Sequence, residues 1–462
     1  RAEGCASHSV IVAAAGGDNR RRLSYRIDGE GATELSFRGG WDYAAPLPEL
    51  GPGPHQLEII DGTVVALSQP FTACRPPSTR VTGDWPQAGG SAEHQNAIAQ
   101  RLHGPLESRW ATSVGGRPAG LAVRGDTVVV ASDAPSAGSR VLALSLSSGD
   151  ILWSHQLDVL LVGPPALTGD RALVTSKNGD VLAFSLQTGV ELWSYAASAR
   201  STFDATTWSA PTVLDGTAYV AMEGQLVALS TDDGHSPWSF VPDDPEFHWL
   251  ASLASPAAIG QLVISVFDRT AGLVAMQPST DTRVWNLDDD DVGVTSASPV
   301  ISDGLVYLLS TAGVLTARRI QDGSLVFTRS LTPGLTDWDY STVSTPAIGN
   351  GRIFVATQRD FLYALDARSG QELWKVHGAP GSISTAHYSS APSGWPASPL
   401  FTGDTVWIGS LDGTLDGFDA ATGERRWHVA LGAPVTTGLV PVSDGLLVAT
   451  YDGTIHLLTT AR

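Results

Sequence analysis

The sequence predicts an all-β fold: an eight-bladed β-propeller of four-stranded blades, preceded by a small N-terminal module that resembles a β-sandwich. One observation is a unit of 40 to 53 residues that recurs along the chain. Each copy ends in a strand with an aromatic residue, at Trp153, Trp193, Trp238, Trp285, Phe327, Trp374 and Trp427. The other is composition: 49 glycines and 28 prolines, with no helical periodicity, are typical of many short strands joined by tight turns.

Each unit contains four short strands. The segments 210–238, 345–374 and 398–427 share a short apolar run, a turn, two alternating strands and a final strand with the aromatic residue. Pairs such as Asp215-Gly216 and Asn350-Gly351 lie between the first and second strands, where a two-residue hairpin favours positive φ. These repeated turns are therefore interpreted as structural.

The last unit lacks its aromatic strand. It begins near Val435 and ends with the strand at 453–460, whereas the segment 107–114 carries Trp110 in the expected context upstream. We therefore expect strand 107–114 to complete the eighth blade and close the ring, which removes two open sheet edges. The predicted domains are residues 1–80 and residues 81–462.

These units resemble the repeats of the quinoprotein alcohol dehydrogenase-like (PQQ-like repeat) β-propeller family. The lead-in Asp84-Trp85-Pro86 with His94 is also similar to the segment before many such propellers. The resemblance covers residues 84–462 and extends, in blade number and size, to the outer-membrane assembly propeller lipoprotein type. Quinone-dependent members hold their cofactor against an adjacent-cysteine disulfide over Ca²⁺, but residues 81–462 contain no cysteine. We therefore expect no cofactor, no metal site and no catalytic residue.

Residues 1–80 break the repeat. Their short strands and the pattern YRIDGEG followed by LGPGPHQLEI resemble bacterial immunoglobulin-like modules. Cys5 and Cys74 bracket this module, which favours a disulfide and an oxidising compartment. A lipid-modified Cys5 and a pair of buried free thiols are the alternatives.

Charge limits the choice of partners. The net charge is −19, and residues 81–462 hold 20 basic and 38 acidic side chains, so nucleic acid and anionic membrane surfaces are disfavoured. No run of apolar residues is long enough for a membrane span. We expect an extracytoplasmic protein (periplasmic, outer-membrane-associated or secreted).

The predicted recognition surface is one face of the propeller, where the connectors between blades are long. Aromatic and acidic side chains on these connectors suit a protein or carbohydrate partner that is neutral or cationic. The alternative is that the aromatics form local cores within the loops. The candidate ligand-binding residues are Trp208, His248, Trp249, Trp338, Asp339, Tyr340, His387, Tyr388 and Trp395.

The predicted function is a non-catalytic binding or scaffold propeller. The alternative is a propeller enzyme, either a quinone-dependent dehydrogenase or a carbohydrate-active lyase with His387 and Tyr388 as base and acid. A polyanionic sugar would need basic side chains that the long connectors lack. The run Asp288–Asp291 lacks the spacing of a calcium loop and is interpreted as a solvated acidic segment.

Overall fold

The computed structural model divides into two compact units, Arg1–Thr79 and Arg80–Arg462. No helix among the residues that it describes is long and apolar enough to cross a membrane. The described residues are 9–13, 22–39, 42–46, 53–73, 84–102, 104–134, 138–197, 209–222, 225–242, 254–267, 272–288, 293, 295, 297–336, 344–357, 361–378 and 395–460.

The described part of the N-terminal unit consists of two antiparallel sheets. In β2 (Leu23–Ile27), Leu23, Tyr25 and Ile27 are buried and alternate with half-buried polar residues, so one face of its sheet forms a core. Immunoglobulin-like topology stays a prediction. The sheet orders are β1-β5-β4 and β3-β2-β6-β7, with strands β1 (Ser9–Ala13), β2 (Leu23–Ile27), β3 (Thr33–Glu34), β4 (Ser36–Gly39), β5 (Asp42–Pro46), β6 (Gly53–Asp61) and β7 (Val64–Ala73).

Eight successive sheets form in the described part of the second unit, and we number them I to VIII; each has four antiparallel strands, and sheet VII also has β8 (Ala97–Ile98) paired in parallel with its first strand. A 3-10 turn, Ala88–Gly90, and β8 (Ala97–Ile98) precede them. Sheets I to IV contain β10 (Arg117–Arg124), β11 (Thr127–Ala134), β12 (Gly138–Ser145) and β13 (Ile151–Leu157); β14 (Leu161–Thr168), β15 (Arg171–Ser176), β16 (Val181–Ser185) and β17 (Glu191–Tyr195); β18 (Thr212–Leu214), β19 (Thr217–Met222), β20 (Gln225–Ser230) and β21 (Trp238–Phe240); and β22 (Ala257–Ile259), β23 (Leu262–Phe267), β24 (Gly272–Gln277) and β25 (Thr282–Leu287).

Sheets V to VIII repeat this pattern. The fourth strand of sheet VIII comes from earlier in the chain: β9 (Leu106–Ser113) pairs with β40 (Thr454–Thr460), and Trp110 lies opposite Leu457. These sheets contain β26 (Val300–Ser302), β27 (Leu305–Leu309), β28 (Val314–Arg319) and β29 (Leu325–Ser330); β30 (Ala347–Gly349), β31 (Arg352–Ala356), β32 (Phe361–Asp366) and β33 (Glu372–His377); β34 (Leu400–Thr402), β35 (Thr405–Gly409), β36 (Thr414–Asp419) and β37 (Arg425–Ala430); and β38 (Val440–Val442), β39 (Gly445–Ala449), β40 (Thr454–Thr460) and β9 (Leu106–Ser113).

The recurring aromatic residue links each sheet to the next. In sheet II, the Trp193 indole N–H donates to the carbonyl of Thr231 in the following sheet, at 3.2 Å. Gly234 in the same turn packs on the ring, where a Cβ would approach within 2.5 Å. Since φ of Gly234 is also +72°, only glycine fits this position. Equivalent indole bonds are Trp110 to Leu146, Trp153 to Leu186, Trp285 to Ile320 and Trp374 to Ala420.

At two of these contacts between sheets, another residue replaces either the turn glycine or the indole donor. The turn in sheet IV has Asp281 at φ +51° in place of glycine, and its carboxylate accepts the Trp238 N–H at 2.8 Å. Sheet V has Phe327, which carries no donor. The Tyr307 hydroxyl donates to the Ala367 carbonyl at 3.0 Å instead, and burial raises the pKa of Tyr307, so the hydroxyl keeps its proton.

Replacing Tyr307 by phenylalanine should lower the free energy of unfolding by about 1–3 kcal/mol, because the buried Ala367 carbonyl loses its donor. Chemical denaturation followed by tryptophan fluorescence measures the change. Tyr451 is 41% exposed and serves as the control; Tyr451→Phe should change the free energy by less than about 0.5 kcal/mol. Equal effects of the two substitutions would contradict the assignment.

Candidate functional site

The lead-in segment 84–101, which we call the collar, runs around the inside of the ring. Its carbonyl groups accept hydrogen bonds from the first strand of six sheets in turn. A seventh sheet bonds to the Gln87 side chain, since the Val213 N–H donates to Gln87 Oε1 at 2.6 Å. The six backbone bonds run from the N–H of Val123 to Trp85 (2.9 Å), Leu167 to Pro86 (2.6 Å), Ala258 to Ala92 (2.8 Å), Ile301 to Glu93 (2.9 Å), Ile348 to Gln95 (2.9 Å) and Phe401 to Asn96 (2.9 Å).

The seven donors occupy one equivalent position, the last but one residue of each first strand. Without the collar, these inner-edge N–H groups would lack a partner, which is costly for a buried amide. The same position in sheet VIII is Pro441, which has no N–H to satisfy. There the collar makes a different bond, from Gln100 Nε2 to the carbonyl of Ser443 at 2.6 Å. The collar therefore makes at least one hydrogen bond to each of the eight sheets.

A second ring of residues lies three positions before each collar contact, and we call it the belt. Its members are small, and four of them carry hydroxyl groups. These hydroxyls link the sheets, because each one accepts the backbone N–H of the belt residue before it: Ala210 to Ser255 (2.9 Å), Ser255 to Ser298 (3.1 Å), Ser298 to Thr345 (3.2 Å) and Thr345 to Ser398 (3.0 Å). The belt consists of Gly120, Pro164, Ala210, Ser255, Ser298, Thr345, Ser398 and Gly438.

Belt and collar together enclose a cavity of about 190 Å³, which we call the cup. All eight belt residues line its wall. Its floor consists of Trp85, Ala88, Gly89, His94 and Asn96 of the collar. No Asp, Glu, Lys or Arg is found among the described lining residues, although the chain as a whole is strongly acidic. The cup is therefore polar but uncharged.

His94 is the titratable group of the floor. It is 1% exposed, and its Nε2 lies 3.1 Å from Thr212 Oγ1, while Nδ1 has no hydrogen-bond partner among the described residues. Burial lowers the pKa of His94 to about 4, and the carbonyl of Pro299 opposes this shift. The imidazole therefore stays neutral at neutral pH.

The neutral His94 predicts a loss of stability in acid. Above pH 6.5 the ring is neutral in both states, so it has no effect there. Between pH 6.5 and about 4 only the unfolded chain binds the proton, so the free energy of unfolding falls by about 1.4 kcal/mol per pH unit. His94→Gln should lack this component, whereas substitution of the exposed His235 should retain it. Urea titrations from pH 7 to pH 4 measure the difference, and parallel curves for wild type and His94→Gln would contradict it.

The cup does not fit a quinone cofactor. Pyrroloquinoline quinone carries three carboxylates, and a charge moved into this cavity would meet no cationic side chain among the described lining residues. The described residues also contain no group of three or more His, Cys, Asp or Glu side chains that could hold a metal ion. The chemistry of the cup is therefore hydrogen bonding by neutral groups.

Most of the sequence-predicted site residues lie outside the described residues: Trp208, His248, Trp249, Trp338, Asp339, Tyr340, His387 and Tyr388. Trp395 is described, and it is a packing residue here. It is 2% exposed and meets Phe418 edge-on, with ring centroids 6.0 Å apart. A ligand on the surface would not reach this ring.

Other predictions also concern residues that are not described. Cys5 and Cys74 lie outside the described residues, so their bridge stays a prediction, as do the alternatives. Of the acidic run, Asp288 is described and exposed.

The belt was not predicted from the sequence. A signal for it exists, because a Ser-Pro or Thr-Pro pair precedes four of the first strands, at 255–256, 298–299, 345–346 and 398–399.

Comparison with known proteins agrees with this architecture. BamB of Yersinia pestis, an outer membrane protein assembly factor, is 24% identical over 351 residues, which cover 72% of this chain and 80% of that protein. Two solved structures share the fold. A europium-containing methanol dehydrogenase has a TM-score of 0.67 at 13% identity, covering 82% of this chain and 99% of that one. BamB from Moraxella catarrhalis has a TM-score of 0.58 at 15% identity, covering 78% and 99%.

A family model decides the relationship. The model described as outer membrane protein assembly factor BamB matches residues 106–245, 199–330 and 269–439. These overlapping matches cover residues 106–439, which is well over half of the chain; they include β9 and the antiparallel strands of sheets I to VII and end one residue before β38. The chain therefore belongs to the outer membrane protein assembly factor BamB family.

Proposed function

We propose that this chain is a non-catalytic scaffold propeller that works outside the cytoplasm, where it binds protein partners during outer-membrane protein assembly. The observation that carries the proposal is the family match over most of the propeller, including relatives named for that role.

The partner meets the propeller at the end of the ring where the first strands begin. The collar occupies the end where those strands finish, so it blocks approach from that side. The long connectors lead into the first strands at the other end, and two of them carry Trp249 and Trp338. Aromatic anchors of this kind contribute about 2 kcal/mol or more each when they are buried by a partner.

The acidic charge of the propeller predicts the charge of the partner surface. The propeller, with 20 basic and 38 acidic side chains in residues 81–462, attracts a cationic partner surface, repels an anionic one and does not disfavour a neutral one. Such attraction acts over a Debye length of about 8–10 Å, so the association rate should fall as salt rises. A neutral carbohydrate is the second candidate ligand for the same face, on the ground of its aromatic side chains.

Complementation tests the proposal. In the source organism, loss of the chain should lower the amount of folded outer-membrane β-barrel protein, and the wild-type chain should restore it. Trp249→Ala with Trp338→Ala should fail to restore it while the melting temperature stays unchanged. Leu373→Ala, on an exposed position of β33, is the control and should restore it fully.

Two results would contradict the proposal. An unchanged level of folded β-barrel protein in cells without the chain would refute the assembly role. Restoration by the double tryptophan variant would refute the assigned face and leave the assembly role intact.

A further inference from the structure

The belt hydroxyls have unused hydrogen-bonding capacity. Ser255, Ser298, Thr345 and Ser398 each accept a backbone N–H through the hydroxyl oxygen. No acceptor for their hydroxyl hydrogens is found among the described residues. Each of four consecutive sheets therefore places one hydroxyl group with a donor to spare along one arc of the cup wall.

The floor offers complementary groups. His94 is buried beneath the cup, where Nε2 lies 3.1 Å from Thr212 Oγ1 and the carbonyl of Pro299 interacts with the ring. Asn96 donates through Nδ2 to the carbonyls of Thr345 and Pro346, at 3.3 and 3.2 Å, which leaves Oδ1 turned away from those bonds. An amide group, which carries both a donor and an acceptor, can satisfy the wall and the floor together.

Two other ligand classes fit less well. An ionised group would lose its hydration in the cup and meet no opposite charge among the described lining residues. A sugar ring usually needs an open aromatic face to stack on. Trp85 is 4% exposed, and Gly90 covers its ring so closely that a Cβ there would come within 2.5 Å. The described cup therefore has neither a counter-ion nor a stacking platform.

We propose that the cup binds an uncharged polypeptide segment of the protein partner, held through its amide groups by the belt hydroxyls and by Asn96, over a floor that includes the buried His94. This inference rests on the proposed scaffold function. The segment enters at the end of the ring where the first strands begin, because the collar closes the other end. A cavity of about 190 Å³ accepts a loop tip of a few residues and excludes a folded domain.

Substitution of Gly438 is the most direct test of binding in the cup. It lines the cup, and a Cβ built on it meets no atom within 4 Å. Gly438→Leu should therefore fill the cup without straining the backbone, and Gly438→Ala is the matched control that adds a single methyl group. Thermal unfolding verifies that both variants stay folded.

The probe is the capped neutral tripeptide acetyl-Gly-Asn-Gly-amide, titrated into the full-length protein and followed by the NMR signals of the His94 ring. The dissociation constant should rise at least about tenfold for Gly438→Leu and less than about twofold for Gly438→Ala. The charged analogue acetyl-Gly-Asp-Gly-amide should bind at least about tenfold more weakly than the neutral peptide. Equal binding to wild type and Gly438→Leu, or no binding to wild type, would overturn the proposal.

Two further measurements distinguish a wrong ligand class from a wrong partner site. Glucose that binds the cup in preference to the peptide would overturn the peptide assignment in favour of a sugar. Complementation by Gly438→Leu distinguishes this inference from the scaffold function. If Gly438→Leu restores folded β-barrel protein as well as wild type does, the cup is not the partner site and the scaffold function stands.

Discussion

Replacing Trp85 by alanine should lower the free energy of unfolding by about 3–5 kcal/mol, the usual cost of removing a buried tryptophan. Trp85 is 4% exposed and belongs to the same buried core as Leu121 and Val123 of sheet I. Its backbone also exchanges two hydrogen bonds with Val123, at 2.9 Å each. Loss of the ring should therefore loosen the start of the collar as well as open a cavity. Urea denaturation measures the first effect.

The matched control for this variant lies at the other end of the collar. Gln100→Ala removes one exposed bond, from Nε2 to the carbonyl of Ser443, and should cost less than about 1 kcal/mol. A second readout is amide exchange at Val123, which should speed up in Trp85→Ala and stay unchanged in Gln100→Ala. Equal stability of wild type and Trp85→Ala would show that the collar contributes nothing to the ring.

Replacing Trp285 by alanine should cost a similar amount, about 3–5 kcal/mol. The ring is 8% exposed within the core that joins sheets IV and V. Its indole N–H donates to the carbonyl of Ile320 at 2.9 Å. Alanine would remove both the packing and the only donor that we find for this carbonyl in the described structure.

The chain itself suggests the control. Trp285→Phe reproduces the residue that sheet V has at Phe327, without the Tyr307 hydroxyl that serves there. It should keep most of the packing and lose the hydrogen bond, at a cost of about 1–3 kcal/mol. A phenylalanine variant as unstable as the alanine variant would show that the indole bond, rather than packing, dominates the contact.

The propeller was predictable because its signals repeat. Trp153, Trp193 and Trp285 each need a small residue opposite and a glycine in the next turn, so their spacing follows from the size of one sheet. The predicted all-β propeller is confirmed by its similarity to solved propellers. The upstream strand with Trp110 was detectable for the same reason.

The cup was not predictable, because it forms from residues far apart in sequence. Gln87 bonds to Val213, and Gln100 bonds to Ser443, which is 343 positions away. The collar itself has no repeat; it follows the ring with single residues such as His94 at φ +57° and Asn96 at φ +49°. No local pattern specifies such a path, since each contact depends on the position of a complete sheet.

Trp395 shows a second limit of prediction from the sequence, which concerns the direction in which a side chain faces. Its position in a long connector favoured a surface role, yet the structure places its ring in a core with Phe354, Phe401 and Phe418. Sequence alone does not distinguish an aromatic side chain that folds back from one that faces a partner. For Trp249 and Trp338, the partner-facing role stays a proposal that the complementation test decides.

Native-state hydrogen exchange tests the central claim most directly, which is that the collar closes one end of the ring by bonding to its first strands. Seven amides report on it: those of Val123, Leu167, Val213, Ala258, Ile301, Ile348 and Phe401. If the collar is bound as described, these inner-edge amides exchange as slowly as those between first and second strands, and all seven speed up together in Trp85→Ala. Fast exchange of all seven in the wild-type protein, with the sheets still protected, would contradict the account.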